Sequence, residues 1–370
     1  MSDLSLDVRV AMRDAFHKLL AKLSREEDVR HAMDTAPGYS ARLWEQMSEI
    51  GITGLLVPAR YGGIGAGPVE LEMLMEEAGA SLLCSPLLSS GVLSAVVLSS
   101  SSDEEIKARL LPDLASGKRI GALAFTGNRG LWTADDVEVA AAQTRDGWRL
   151  QGTSSYVLSA AQADFLLIFA RRGSGCACFE VDPKDPQVVV EALPSWDATL
   201  RISKVICSGA TGTPIAGADW RIAERALDFA RIALVGEQAG GSRRIFDITI
   251  DHIKTRVQFG RAVGAFQAMK HMAADLLLEV ESATSAARCA AQALTEHAPD
   301  AGALVSLATF TCKDVFVQVA ASAIQMHGGI AFTWDHPAHL YLRRARADAQ
   351  LFGTSASYRE RYLAQLEQRI

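Results

Sequence analysis

Cysteine is scarce, and its placement excludes a disulfide-stapled scaffold: six cysteines are spread over 370 residues with no framework spacing. Cys84, Cys207, Cys289 and Cys312 stand alone among apolar or small neighbours, the setting of buried, reduced thiols. Cys176 and Cys178 form a C-x-C pair with no second ligand pair nearby, which argues against a zinc site. Aromatics make up only 7% of the chain, so aliphatic residues and alanine must fill any core. A basic excess is missing too. The formal net charge of −6 speaks against a general nucleic-acid or anionic-membrane surface, while leaving room for one local cationic pocket that takes a phosphate. The longest apolar stretch, GVLSAVVL near residue 92, is too short to cross a bilayer, and the polar opening MSDLSLDVRVAMRDAFHKLL has no secretory pattern. The expectation is a soluble cytoplasmic protein.

What is present is a globular balance, 49% hydrophobic and 22% charged, over a length that suits two or three domains. From the start to about residue 120 the pattern is helical, with Leu43, Met47 and Ile50 at three- and four-residue spacings before the Gly/Pro break GITGLLVPARYGGIGAGP. The helix VELEMLMEEAGASL follows, then DEEIKARLLPDLASGKR, in which Asp103 reads as an N-cap with acids in the first turn. Over 121–217 the period drops to two and turn residues multiply. Asp146-Gly147 marks a hairpin, and strands at this spacing without intervening helices predict a small antiparallel β-barrel or sandwich. From 218 to 370 the chain is helical again, with alanine-rich segments at about 220–255, 266–296 and 301–327 and a last one from about 354, a pattern that suits a four-helix bundle. The fold class is therefore mainly α with a central β-domain, in three stretches, 1–120, 121–217 and 218–370.

Two segments carry residues suited to chemistry. In RVQFGRAVGAFQAMKHMAADL, Arg256 suits a phosphate, Phe259 a stacked ring and Gln267 a polar anchor; a surface arginine, a core phenylalanine and a loop glycine describe the same residues. In QMHGGIAFTWDHPAHLYLRRARAD, Gly328-Gly329 lets backbone amides approach a ligand because no Cβ intervenes. His327, His336 and His339 lack the spacing of a metal site and read as hydrogen-bonded or solvated histidines, and Asp335 reads as an ion-pair partner of Arg343 or Arg344.

These segments in this order, with GITGLLVPARYGGIG before them and LFGTSASYRER after, resemble the acyl-CoA dehydrogenase family from about residue 40 to the carboxyl terminus. The resemblance is to bacterial members that degrade steroid side chains and other unusual acyl-CoA thioesters, several of them α2β2 tetramers. It implies an N-terminal α-bundle, a middle β-barrel and a C-terminal four-helix bundle. It also implies FAD-dependent removal of the pro-R hydrogens at Cα and Cβ of an acyl-CoA, giving the trans-2-enoyl-CoA, with electron-transfer flavoprotein as acceptor. A carboxylate takes the α-proton while the flavin takes the β-hydride. The elements implied to hold FAD are Arg256, Phe259, Gln267, Gln325, Gly328, Gly329, Thr126 and Thr354.

Against that pattern the base is missing. The family places a glutamate before a Gly-Thr pair, and here Phe352 precedes Gly353-Thr354; the alternative glutamate position, before an arginine on the long helix, holds Ala230 before Arg231. Asp228, Glu237 and Asp335 are the nearest carboxylates in sequence. The flavin-ring loop survives only as Thr126-Gly127, and the ring-facing strand reads Tyr156-Val157-Leu158. A chain that keeps the ADP-gripping residues and loses the ring-facing ones suits one subunit of a heteromeric enzyme with a paralogous acyl-CoA dehydrogenase partner in a tetramer. The alternatives are a non-catalytic subunit completing the partner's FAD site, and a homomeric enzyme with a displaced base.

Overall fold

The computed structural model describes residues 4–367, so the outermost residues of the stretches 1–120 and 218–370 lie outside the described residues. The chain clusters into two compact units that interleave in sequence. One is formed by 1–19, 28–67 and 84–230, the other by 20–27, 68–83 and 231–370.

The first unit joins helices to the sheet. Its helices are α1 (Leu6–Leu23, in part), α2 (Glu26–Asp34), α3 (Ala41–Glu49), α5 (Ala95–Ser100) and α6 (Glu104–Ala115); α4 belongs to the second unit. Ser40 caps α3 by accepting from the amide of Leu43 at 3.3 Å, and Asp103 caps α6 by accepting from Ile106 at 3.1 Å. The apolar run near residue 92 forms a π-helical stretch, Leu88–Ser94, that leads into α5. Its buried serines are tied to the sheet: the Ser89 hydroxyl donates to the carbonyls of Gly121 and Leu158 at 3.1 and 2.8 Å, and Ser90 Oγ accepts from the Gly121 amide at 3.1 Å.

Seven strands make one sheet: β1 (Gly121–Ala124), β2 (Ala140–Thr144), β3 (Gly147–Leu158), β4 (Phe165–Arg172), β5 (Gly175–Val181), β6 (Val188–Ala192) and β7 (Ile202–Asp219). Pairings β4–β2, β2–β3, β3–β7, β7–β5 and β5–β4 close a ring, with β1 and β6 added at its side. Asp146-Gly147 turns the β2–β3 hairpin, with Thr144 opposite Gly147. One expectation needs correcting. The barrel is not wholly antiparallel, because β1 and β2 both pair parallel with β4, through connections too long for the local pattern to reveal. Its interior holds Leu150, Leu166, Ile168, Phe179, Val181 and Val205.

The second unit is helical: α4 (Pro68–Ala80), α7 (Trp220–Thr255, from Arg231), α8 (Gln267–Thr295), α9 (Ala301–His327), α10 (Ala338–Asp348) and α11 (Ser355–Glu367). The two-residue strands β8 (Val257–Gln258) and β9 (Arg261–Ala262) form a hairpin between α7 and α8. Alanine lets these helices approach closely, and α8 buries Ala283, Ala287, Ala290 and Ala291. α4 and α7 touch at backbone distance, since a Cβ on Gly240 would stand 1.8 Å from the Glu76 carbonyl oxygen. Residues Ala301–Phe332 have the length and mean hydropathy, 1.4, of a membrane span, but most of that segment is buried, with α9 packed on α8, α10 and α11. Cys289 is exposed on α8, against the expectation of a buried thiol. Cys84, Cys178, Cys207 and Cys312 are buried, and burial raises the Cys207 thiol to about 11.

Candidate functional site

Ala230, midway along α7, is wholly buried, and Phe352 is 2% exposed. Neither can accept a proton. Phe352 lies just after α10 with φ of +60°, a left-handed conformation that costs a bulky residue roughly 1–2 kcal/mol and must be held by its surroundings.

Three side chains hold it. The Tyr358 hydroxyl, from α11, donates to the Phe352 carbonyl. Arg231 donates from Nε to that hydroxyl at 2.7 Å, with its guanidinium 5.5 Å from the tyrosine ring centroid. Lys313, 1% exposed on α9, donates to the carbonyls flanking Phe352, those of Leu351 at 2.6 Å and of Gly353, and reaches Ala349 at 3.5 Å. Burial drives the Lys313 ammonium down to about 7, against the pull of Asp348 and with the push of Arg231.

The carboxylates nearest in sequence are committed or remote. Glu237 is ion-paired with Arg344, both side chains at most 7% exposed, and Arg344 also donates to the Leu83 carbonyl at 3.0 Å. That pair replaces the expected Asp335–Arg344 contact; Asp335 is exposed, and Arg343 lies 5.1 Å over the Trp334 ring. Asp228 is half-buried, in the first unit. Glu72, on α4, is buried, and burial together with the neighbouring Glu76 raises its carboxyl well above the ordinary range, Arg288 opposing.

Of the residues implied to hold FAD, Arg256, Phe259, Gln267, Gln325, Gly328 and Gly329 are exposed in the second unit. Arg256 follows α7, its amide donating to His252 at 2.8 Å. Phe259 projects at 91% exposure from the β8–β9 turn, and Gln267 opens α8. Gln325 stands in the last turn of α9, and Gly328, with φ of +71°, ends that helix; a Cβ built on Gly328 or Gly329 would meet nothing within 4 Å. His252 and His327 bring the ends of α7 and α9 together, their ring centroids 4.3 Å apart. An unhindered glycine turn, a cation and a projecting aromatic are groups whose chemistry fits the pyrophosphate and adenosine of a dinucleotide. Thr354 is exposed before α11, where its hydroxyl accepts from the Ser357 amide at 3.2 Å.

Thr126 is in the first unit and is otherwise engaged. Its hydroxyl donates to Asp136 Oδ2 at 2.8 Å and its carbonyl accepts from Ser154 and Ser155. Asp136 also accepts from the amides of Gly127 and Leu131 and from Arg129 Nε, at 3.1, 2.9 and 3.0 Å. Burial pushes the Asp136 carboxyl up, yet these donors hold it below its ordinary value. The loop 126–136 is thereby closed on its own carboxylate. Tyr156, with φ of +56°, sits beside it at a break in the β3–β7 register.

Sequence reasoning missed Lys313, Tyr358 and His252. The available signals were a lysine, followed by an aspartate, inside the mainly apolar and small-residue TFTCKDVFVQVAASA and a histidine in the last turn of a long helix. Among the described residues no group of three or more His, Cys, Asp or Glu is arranged to hold a metal ion.

Residues 7–118 match the model of the acyl-CoA dehydrogenase N-terminal domain and residues 217–366 that of the acyl-CoA dehydrogenase C-terminal domain. The acyl-CoA dehydrogenase IpdE2 of Mycolicibacterium smegmatis is 30% identical over 346 residues, 93% of this chain and 94% of that protein. IpdE2 of Mycobacterium tuberculosis is 30% identical over 344 residues, 93% and 92% of the two chains. The solved ChsE4–ChsE5 complex of Mycobacterium tuberculosis superposes with a TM-score of 0.90 at 26% identity, covering 100% of this chain and 99% of the other. Two matched domain models and full-length relatives agree with the helix–barrel–helix architecture: the chain belongs to the acyl-CoA dehydrogenase family, whose cofactor is FAD.

Proposed function

We propose that this chain is one subunit of a heteromeric FAD-dependent acyl-CoA dehydrogenase, in which a paralogous subunit supplies the catalytic carboxylate. The observation that carries the reading is the state of the two base positions: Ala230 and Phe352 are both buried side chains that cannot take a proton, and the loop around Phe352 is fastened by Tyr358 and Lys313. The buried Glu237–Arg344 pair weighs against a homomeric enzyme with Glu237 as displaced base.

The reaction is α,β-dehydrogenation of an acyl-CoA thioester to the trans-2-enoyl-CoA. FAD supplies hydride acceptance when bound. This chain's part is to hold the ADP half of the cofactor, with Arg256 on the pyrophosphate, Phe259 against the adenosine, and Gly328-Gly329 offering main-chain amides; Gln267, Gln325 and Thr354 complete the set. A steroid-derived or comparably bulky acyl group, and electron-transfer flavoprotein as acceptor, follow from the resemblance.

Absorbance decides. The chain purified alone should carry little flavin and show no dehydrogenation of steroid-derived, branched or cyclic thioesters, whereas co-expression with its paralogue should give a yellow mixed oligomer that turns them over. Stoichiometric flavin with activity in a homo-oligomer would sink the proposal; a mixed oligomer whose activity survives replacement of Arg256 and Phe259 would favour a purely structural subunit.

A further inference from the structure

Three histidines from three segments of the second unit pack their rings together at tilted angles. His252 is in the last turn of α7, His327 ends α9, and His336 sits in the turn before α10. The His252 and His327 rings are 4.3 Å apart at 34°, the His327 and His336 rings 4.3 Å apart at 55°, and the outer two 6.5 Å apart. Among the described residues no group of three or more His, Cys, Asp or Glu, this cluster included, is arranged to hold a metal ion.

Partners fix the tautomers. His327 Nδ1 faces the Ala323 carbonyl at 2.8 Å, so it carries the proton, and Nε2 is a buried atom with no hydrogen-bond partner. His336 Nδ1 accepts from the Ala338 amide at 3.2 Å and must be unprotonated. The His336 contact therefore requires an unprotonated Nδ1, whereas the His327 contact survives in either form and a charged His327 would carry its second proton on the buried, unpartnered Nε2. The charged groups facing the stack are Arg256 on the α7 side, His339 on α10 and Glu26 from 20–27; the first two oppose a further positive charge and only Glu26 favours it. Burial lowers all three imidazoles, His336 to about 4.

The stack adjoins both segments that grip the cofactor. His252 accepts the amide of Arg256 through its carbonyl, and His327 directly precedes Gly328-Gly329. We propose that the His252–His327–His336 stack is the joint that positions Arg256 and the Gly328-Gly329 turn for the FAD pyrophosphate, and that it opens when one of its imidazoles takes a proton. The inference rests on the reading that these residues hold the ADP half of FAD. The three histidines are positioning residues: they act through Arg256 and the glycine turn.

The direction follows from linkage. Groups held neutral by the fold resist the proton that the opened chain accepts, so the closed joint is fully favoured above about pH 6.5 and loses ground as pH falls below it. For a ring lowered from 6.5 to about 4 the shift toward the open form at pH 5 reaches roughly 30-fold, and about tenfold once solvent at the exposed flank of His336 is allowed for.

The test uses the mixed oligomer obtained by co-expression with the paralogous subunit, with FAD as probe because its pyrophosphate keeps its charge across the range. Flavin affinity and melting temperature are measured from pH 7.5 to pH 5 for the wild type, His252→Phe and His336→Phe. The Phe rings keep a stack and cannot titrate. The expected result is a flavin affinity that weakens toward pH 5 in the wild type, by at most about tenfold, and by less than about twofold in each variant, with the melting temperatures following the same pattern. A wild type with no such loss, or variants that keep the wild-type slope, would overturn the proposal. If the melting slope disappears in the variants while no form takes flavin at any pH, the reading of Arg256 and the glycine turn fails and takes the positioning role with it.

Discussion

Arg231 donates from Nε to the Tyr358 hydroxyl at 2.7 Å, and that hydroxyl passes its own proton to the Phe352 carbonyl. A guanidinium only donates, so the direction of the relay is fixed. It ties Arg231 on α7 to the loop that carries Phe352, two segments far apart in sequence but within the second unit.

Removing the hydroxyl tests that tie. Tyr358→Phe removes two buried hydrogen bonds, one to the Phe352 carbonyl and one from the Arg231 guanidinium, and each is worth about 0.5–1.5 kcal/mol, more where a charge is involved. The expected outcome is a loss of about 2–4 kcal/mol in urea unfolding of the helical unit, with the left-handed backbone at Phe352 released to faster amide exchange.

The α4–α7 contact admits no side chain at Gly240. A Cβ there would stand 1.8 Å from the Glu76 carbonyl oxygen, a backbone atom that cannot rotate away. Gly240→Ala should destabilise by about 3 kcal/mol or more and lower the melting temperature. The same change at Gly260, where nothing lies within 4 Å, lacks that clash and meets only the strain of its positive φ.

The contrast between legible and illegible features follows sequence distance. The long helices were readable because periodicity is local: segments expected at about 220–255, 266–296 and 301–327 are found at Trp220–Thr255, Gln267–Thr295 and Ala301–His327. The Asp103 cap and the Asp146-Gly147 turn were readable for the same reason. The parallel pairing of β1 with β4 was not, since it joins residues more than forty positions apart. Arg344 was paired on paper with neighbouring Asp335, yet its partner Glu237 is 107 positions away. The empty base positions could be read only by resemblance; the Arg231–Tyr358–Phe352 relay spans 127 residues and needed the fold.

Asp136 organises the loop 126–136 from inside. Asp136→Asn replaces one acceptor oxygen by an amide that donates, and at Oδ2 it would face Thr126, Gly127 and Leu131, three groups that already donate. A cost of about 2–3 kcal/mol is expected, read as faster protease cleavage within 126–136 while the barrel core stays protected. Because the fold holds this carboxyl below its ordinary value, its contribution is present above about pH 4 and lost as pH falls through the folded-state value. The wild-type loop should therefore become protease-sensitive in acid, and the variant should be sensitive already at pH 7.

Lys313 gives a pH dependence of the same sign in a more alkaline window. Its ammonium falls from 10.5 to about 7 on folding, so between those values the unfolded chain binds more protons than the folded one, and stability rises with pH across that window. The gain from pH 7 to pH 10 is about 3 kcal/mol. Lys313→Met keeps the apolar stem but cannot donate to Leu351 and Gly353, so it should be the less stable protein at pH 10. It should also lose the titration, leaving a flatter stability profile over pH 7–10. Urea midpoints for both proteins at half-unit pH steps measure this directly. Parallel profiles would mean that the lysine stays charged throughout and that its three carbonyl partners, not burial, govern its proton.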